Sequence, residues 1–190
     1  VALAAEAGRP LHVLHISTAE EMAFLQQHKS RVSVEVLPQH LTLSAPECYE
    51  RLGTLAQMNP PIRDQRHQDA LWKAVRNGIV DVIGSDHAPH TREEKQRPYP
   101  DSPSGMTGTQ TLLPLMLNHV NRGRLSLSRL VDMVCAGPAR LFGMAGKGRI
   151  AVGYDADLTL VDMHRNKWVY DRYLGSPSVW SGFEVFMLLG

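Results

Sequence analysis

The stretch from Val80 to His90 constrains this chain most, because a short apolar run stops there at Asp86, between small and basic residues. Such a run after a helical segment is typical of a parallel strand that is covered on both faces. Gly84 and Ser85 allow a tight turn before the acid. A carboxylate among imidazoles at a strand end suits zinc, and it also suits proton transfer from a water molecule. Spacing alone leaves open a solubilising loop in which Asp86 caps the next segment.

Two similar strands precede this one, at residues 11–18 and 32–37. A helix is predicted at 19–28, where Glu20 and Glu21 favour the first turn, and another at 65–76, after Asp64 as its N-cap. Strands that alternate with helices indicate an α/β protein with a parallel sheet. Functional groups at successive strand ends are the layout of a (β/α)-barrel.

The later part of the chain changes character twice. Residues 91–105 are polar and rich in proline, and a loop of that length beside a candidate site is typical of a lid or binding loop. Helices are predicted at 107–120 and 127–142. From residue 146 the pattern alternates turns with a short apolar strand within 148–162, and 167–170 offers another strand. We therefore predict one domain over 1–145 and part of a separate β-sheet over 146–190.

Composition narrows the class of protein. The chain of 190 residues is 43% hydrophobic and 21% charged, as in globular proteins, and its net charge of +1 gives no electrostatic reason to expect nucleic acid or an anionic membrane as a partner. Cys48 and Cys135 do not suggest a disulfide scaffold, so we expect a cytoplasmic protein. No apolar run approaches the roughly 18 residues of a membrane span. Residues 1–8 look like the end of a helix, and we expect a fragment of a longer chain.

Several motifs, taken in order, resemble the C-terminal half of a cyclic amidohydrolase, most closely the dihydroorotases related to allantoinases and hydantoinases. These motifs lie at residues 15–18, 35–41, 58–63 and 84–90, and a Gly-Asp-Ala-Asp-Leu-type segment follows at 153–158 with Tyr154 interposed. The resemblance implies the C-terminal part of a (β/α)8 TIM barrel followed by part of a small, truncated β-sandwich.

The resemblance also implies roles for individual residues. His15 would be a metal ligand at the end of the sixth barrel strand. Asp86, at the end of the eighth, would be both a metal ligand and the general base and acid. Asn59 and His90 would contact the substrate, and the backbone at Gly108 would complete that pocket. The cofactor would be zinc, with one or two ions in the complete enzyme.

Other family features are missing from the sequence. It contains no His-x-His pair and no lysine at a strand end before His15. Zinc usually takes at least three protein ligands, so we expect weak or absent zinc binding by this fragment. A partial barrel would expose strand edges, which favours association. We expect a homo-oligomer, with a carbamoyltransferase as a possible partner of the parent enzyme.

The remaining histidines receive structural interpretations. We expect His12 to be a packed core residue, His40 to be structural rather than pocket-lining, and His87 to steady its loop. Solvated positions are expected for His28, His67, His119 and His164.

The functional hypothesis is zinc-dependent hydrolysis of a cyclic amide, most closely the interconversion of the small molecule dihydroorotate and N-carbamoyl-aspartate, by a fragment that is inactive alone. One alternative is an allantoinase-like or hydantoinase-like hydrolase. Another alternative is a non-catalytic dihydroorotase-like scaffold. An argument against the scaffold is that the chain retains His15, Asn59, Asp86 and His90.

Overall fold

The computed structural model describes residues 1–168 and 187–189, and its centre is a parallel sheet. Strands β1 (Leu11–Val13), β2 (Val32–Val36) and β3 (Val82–Ile83) lie in the order β1-β2-β3. Val13 pairs with Val34, and Val36 pairs with Ile83. Strands β4 (Asn166–Trp168) and β5 (Met187–Leu189) form a separate antiparallel pair. The predicted α/β class with a parallel sheet is confirmed.

Helices connect these strands and cover one face of the sheet. They are α1 (Ala2–Glu6), α2 (Ala19–Gln27), α3 (Pro38–Thr42), α4 (Glu47–Leu52), α5 (Gln65–Arg76), α6 (Arg92–Lys95), α7 (Leu112–Asn121), α8 (Leu127–Val131) and α9 (Gly137–Leu141). A 3-10 turn follows α4 at Gly53–Ala56. In residues 1–168 and 187–189, no helix has both the length and the apolar character needed to cross a membrane.

Strand β2 separates an apolar face from a polar one. Val32, Val34 and Val36 are at most 5% exposed and belong to the main hydrophobic core. Ser33 and Glu35 alternate with them and are only half-buried. The same alternation puts His12 of β1 beside Ser33, whose hydroxyl lies 2.8 Å from His12 Nδ1. His12 is packed, as expected, with a side chain only 17% exposed, but it lies on the polar face and outside the main hydrophobic core.

Local sequence signals set where the connecting helices begin. Thr18 caps α2 through a capping box with Glu21, and the Asp64 carboxylate accepts a hydrogen bond from the Arg66 amide at the start of α5. Both helices occupy the predicted positions. Within the predicted loop 91–105, Thr91 caps the short helix α6 in the same way.

Three helical segments differ from the prediction, and one of them is α7, which begins at Leu112 instead of residue 107. Residues 38–42 form α3, with Pro38 in the first turn, where the missing amide hydrogen costs nothing. The predicted helix 127–142 is formed by α8, a π-helical turn (Asp132–Ala136) and α9 in succession. The Gly137 amide donates to the carbonyl of Asp132, which closes the wider turn.

The segment after residue 146 does not contain the predicted strand. Residues 148–162 form turns and irregular backbone, and Ile150, Val152 and Leu160 are 89%, 105% and 97% exposed. A strand needs a neighbour for its backbone hydrogen bonds, and none lies beside this segment in the described part of the chain. Strand β4 overlaps the predicted strand at 167–170, whose last two residues lie outside the described ones. The domain boundary at 145 stays a prediction.

His119 is buried, so its predicted solvation was wrong. It is 2% exposed, its Nε2 lies 2.9 Å from the Thr42 hydroxyl, and its ring packs edge-on against Trp72. The indole N–H of Trp72 donates to the carbonyl of Leu41. These contacts join α7 to α3 and α5. Burial, together with Arg124 and Arg122, lowers the pKa of His119 to about 3.

Acid should therefore destabilise the fold through His119. The folded pKa of about 3 lies below the ordinary 6.5, so the unfolded chain binds an extra proton as the pH falls below 6.5. We expect the free energy of unfolding to decrease over this range. His119→Phe should lower stability at neutral pH by about 1 kcal/mol, through the lost hydrogen bond to Thr42, and should reduce the pH dependence by up to one proton.

Urea unfolding at neutral and mildly acidic pH measures both effects. Burial also lowers the pKa of His40, so some pH dependence remains in the variant. The control is His164→Gln, which changes an exposed histidine. A pH dependence in His119→Phe equal to that of the unchanged chain would contradict this assignment.

Candidate active site

The two predicted metal ligands share an uncommon backbone conformation. His15 follows β1 with φ of 40°, and Asp86 follows β3 with φ of 42°. They are the only non-glycine residues with positive φ in the part of the chain that the structure describes. This left-handed region is unfavourable for residues with a Cβ, and such strain concentrates at functional sites. The structure therefore marks His15 and Asp86 independently of the sequence motifs.

Both residues lie at the carboxyl edge of the sheet, next to His40. Because β1, β2 and β3 are parallel, their carboxyl ends meet at one edge. The buried imidazole of His40, in α3 just after β2, is affected by the charges of both His15 and Asp86. Burial lowers the pKa of His40, so the ring is neutral at pH 7. Its Nε2 lies 2.9 Å from the carbonyl of Pro60 and holds the loop that contains Asn59 beside this edge.

Of the predicted substrate contacts Asn59 and His90, only Asn59 lines a cavity. This cavity has a volume of about 610 Å³ and is lined by Tyr49, Gly53, Thr54, Gln57, Met58, Asn59, Pro61, Tyr99, Pro100 and Ser104. Asn59 is exposed at this cavity, and the half-buried His90 lies outside its lining. The Nε2 of His90 donates to the carbonyl of Ser104 at 3.2 Å. Ser104 lines the same cavity as Asn59, so His90 is hydrogen-bonded to the wall of that cavity.

Gly108 lies directly against the turn that presents Asp86. A Cβ at position 108 would lie 2.2 Å from the carbonyl oxygen of Ser85, so only glycine allows this close approach. The Gly108 amide donates to Nδ1 of His87 at 3.1 Å. Gln39, which is fully buried, donates from Nε2 to the Ser85 carbonyl at 3.0 Å. His87 thus steadies the loop, as expected, while the part played by Gln39 was not anticipated from the sequence.

The described residues do not complete a zinc site. The imidazole of His15 and the carboxylate of Asp86 are donor types that zinc accepts, but they are only two. In the described part of the chain, no group of three or more His, Cys, Asp or Glu side chains is arranged to hold a metal ion. Within the described residues, His15 and Asp86 therefore remain two candidate ligands.

Sequence reasoning also missed Glu35. Its carboxylate accepts a hydrogen bond from the backbone amide of His15, with a distance of 3.3 Å between Oε1 and N. The only signal was an acid at an alternate position of a valine-rich strand. That signal does not identify a partner, because the contact joins residues from two different strands.

Comparisons with known proteins identify the family. Residues 1–179 match the amidohydrolase family. The dihydroorotase of Halobacterium salinarum is 41% identical over 184 residues, which cover 97% of this chain and 43% of the relative. The dihydroorotase of Bacillus licheniformis is 40% identical over 171 residues, or 88% of this chain and 40% of the relative.

A solved structure extends the similarity to the fold. The L-hydantoinase from Arthrobacter aurescens superposes with a TM-score of 0.93 at 35% identity, over 99% of this chain and 43% of that protein. The chain thus spans about two fifths of the length of the relatives that it matches. The predicted resemblance and the predicted class of partial amidohydrolase barrel are confirmed, and the chain belongs to the amidohydrolase family.

Proposed function

We propose that this chain supplies part of the active site of a cyclic amide hydrolase, most closely a dihydroorotase that interconverts dihydroorotate and N-carbamoyl-aspartate. The observation that carries the proposal is that His15 and Asp86, which both have a left-handed backbone conformation, lie at one edge of the parallel sheet. The similarity to proteins named dihydroorotase supports the same reaction class.

In this proposal Asp86 moves the proton. Hydrolysis adds a water oxygen to the carbonyl carbon of the ring amide and breaks the bond from that carbon to the ring nitrogen. The half-buried Asp86 carboxylate accepts the proton that the water loses. The same carboxyl group then gives the proton to the leaving nitrogen, which regenerates the carboxylate.

We propose His15 and Asp86 as two of the ligands of a zinc ion in the assembled enzyme. Zinc would lower the pKa of a water molecule and polarise the substrate carbonyl. The remaining ligands would come from outside the residues described here, so we expect the chain alone to bind zinc weakly and to be inactive. A homo-oligomer, a carbamoyltransferase partner and a cytoplasmic location stay predictions.

Asn59, His90 and Gly108 are the proposed substrate contacts. Asn59 offers both a hydrogen-bond donor and an acceptor at the cavity, which suits a cyclic amide. The imidazole of His90 can donate a hydrogen bond to a substrate carboxylate. The buried backbone of Gly108 lies beside the Asp86 turn, where it would complete the substrate pocket.

A hydantoinase is the second candidate, and the TM-score of 0.93 with an L-hydantoinase favours it specifically. Both candidates hydrolyse a cyclic amide and need the same His15 and Asp86. They differ in the group outside the ring, so substrate preference distinguishes them.

The first prediction about catalysis concerns Asp86 in a chimera, in which this chain replaces the matching segment of the Bacillus licheniformis dihydroorotase. We expect the chimera to convert dihydroorotate to N-carbamoyl-aspartate with zinc present. Asp86→Asn should lower kcat by about a hundredfold or more, because general acid–base catalysis contributes at least that factor. Product formation measures kcat, and circular dichroism checks that the variant folds.

Asp101→Asn is the matched control, since Asp101 is exposed in the loop 91–105. Undiminished turnover by Asp86→Asn would contradict the catalytic assignment. A folded, zinc-supplied chimera that hydrolyses neither dihydroorotate nor a hydantoin would favour the non-catalytic scaffold.

The second prediction concerns Asn59 in the same chimera. Asn59→Ala should raise KM for dihydroorotate about tenfold, which corresponds to the loss of one hydrogen bond of roughly 1.4 kcal/mol. Asp101→Asn, at an exposed position outside the cavity lining, should leave KM unchanged. Steady-state kinetics with dihydroorotate and a 5-substituted hydantoin measure both effects. Unchanged KM values for both substrates in Asn59→Ala would remove Asn59 from the site.

A further inference from the structure

Glu35 lies on the polar face of β2, between the two strands that lead to His15 and Asp86. Its side chain is 15% exposed. Its Oε1 accepts the His15 amide hydrogen at 3.3 Å, and its main-chain carbonyl accepts from the Ile16 amide at 3.0 Å. The turn that presents His15 is therefore held by Glu35 at two consecutive amides.

The same carboxylate touches the other turn. A Cβ added at Gly84 would lie 2.4 Å from Glu35 Cδ and 2.5 Å from Oε1. Any side chain at position 84 would therefore collide with the Glu35 carboxylate in its observed position. Gly84 directly follows β3 and begins the turn to Asp86, and its amide donates to the carbonyl of Val36 at 3.1 Å. One side chain thus contacts the turns of both candidate ligands.

The polar face keeps the Glu35 carboxylate in this place. His12 Nε2 lies 3.6 Å from Glu35 Oε2, and His12 is itself oriented by Ser33. The Val32, Val34 and Val36 side chains point the other way, into the core, which leaves Glu35 on the polar face.

We propose that Glu35 is a positioning residue that fixes the separation of the His15 and Asp86 turns. This inference deepens the proposed function and depends on it for its catalytic meaning. The physical reason is the left-handed backbone at both residues, which persists only where the surroundings hold it. A hydrogen bond from an amide to a carboxylate is stronger than one to a neutral acceptor, and so it suits this task.

Amide hydrogen exchange of the metal-free chain, followed by NMR, tests the contact directly. We expect Glu35→Leu to speed exchange of the His15 amide about tenfold relative to the Val34 amide, which reports on the core. Glu35→Gln, whose side-chain carbonyl still accepts, should stay close to the unchanged chain. Glu50→Leu is the matched control, because it makes the same change at an exposed carboxylate in α4. Equal His15 exchange in Glu35→Leu and the unchanged chain would overturn the proposal.

Gly84→Ala gives a second test that does not require Glu35→Leu to fold. The new methyl group would displace the Glu35 carboxylate, so exchange at His15 should accelerate although position 84 lies on another strand. In a Glu35→Ala background, Gly84→Ala should have no further effect on His15. Acceleration of equal size in both backgrounds, or in neither, would show that the two turns are not coupled through Glu35.

The chimera links the contact to catalysis. There, Glu35→Leu should lower kcat about tenfold with little change in KM, and Glu35→Gln should restore most of the activity. If exchange at His15 responds as expected while Asp86→Asn keeps full turnover, Glu35 couples two turns that do not form an active site, and the proposed function fails. If Asp86 is essential but exchange at His15 ignores Glu35, the proposed function stands and this inference fails.

Discussion

The parallel pairing of β2 with both β1 and β3 is the constraint on which the rest of the structure depends. One face of β2 supplies valines to the core, which the connecting helices cover. The other face carries polar groups, and its last one, Glu35, reaches the turns on either side. Because the three strands run the same way, their functional side chains gather at one edge. The short strand β2 therefore links the stability of the core to the geometry of the candidate site.

Much of this arrangement follows from local sequence, and those parts were predictable. The alternation in β2 and the caps Thr18 and Asp64 act within one element, so residue type and spacing suffice to identify them. Asp86 was found because it ends an apolar run, and His15 was found through the resemblance to dihydroorotases. Their similar backbone conformation supports the choice, although it does not test their roles.

The features that were missed depend on contacts between distant segments. In the sequence, His119 is a polar residue near the end of a predicted helix, which suggests an exposed position. Only the packing of α7 against α3 shows that it is buried. Glu35 and Gln39 gain their importance from neighbours on other strands and loops. The apolar residues within 148–162 alternate as a strand would, yet no described neighbour pairs with them. In each case the sequence pattern is compatible with several environments, and the three-dimensional partner decides among them.

The left-handed backbone at His15 and Asp86 also lowers the stability of the fold at the two positions that the proposed function needs. Glycine would relieve about 1 kcal/mol or more of backbone strain at each position. A laboratory selection for thermal tolerance alone would therefore favour glycine at these two positions, because each replacement would raise the free energy of unfolding. Such variants would fold better and would lack both candidate ligands. Any stability engineering of this chain should consequently hold these two positions constant.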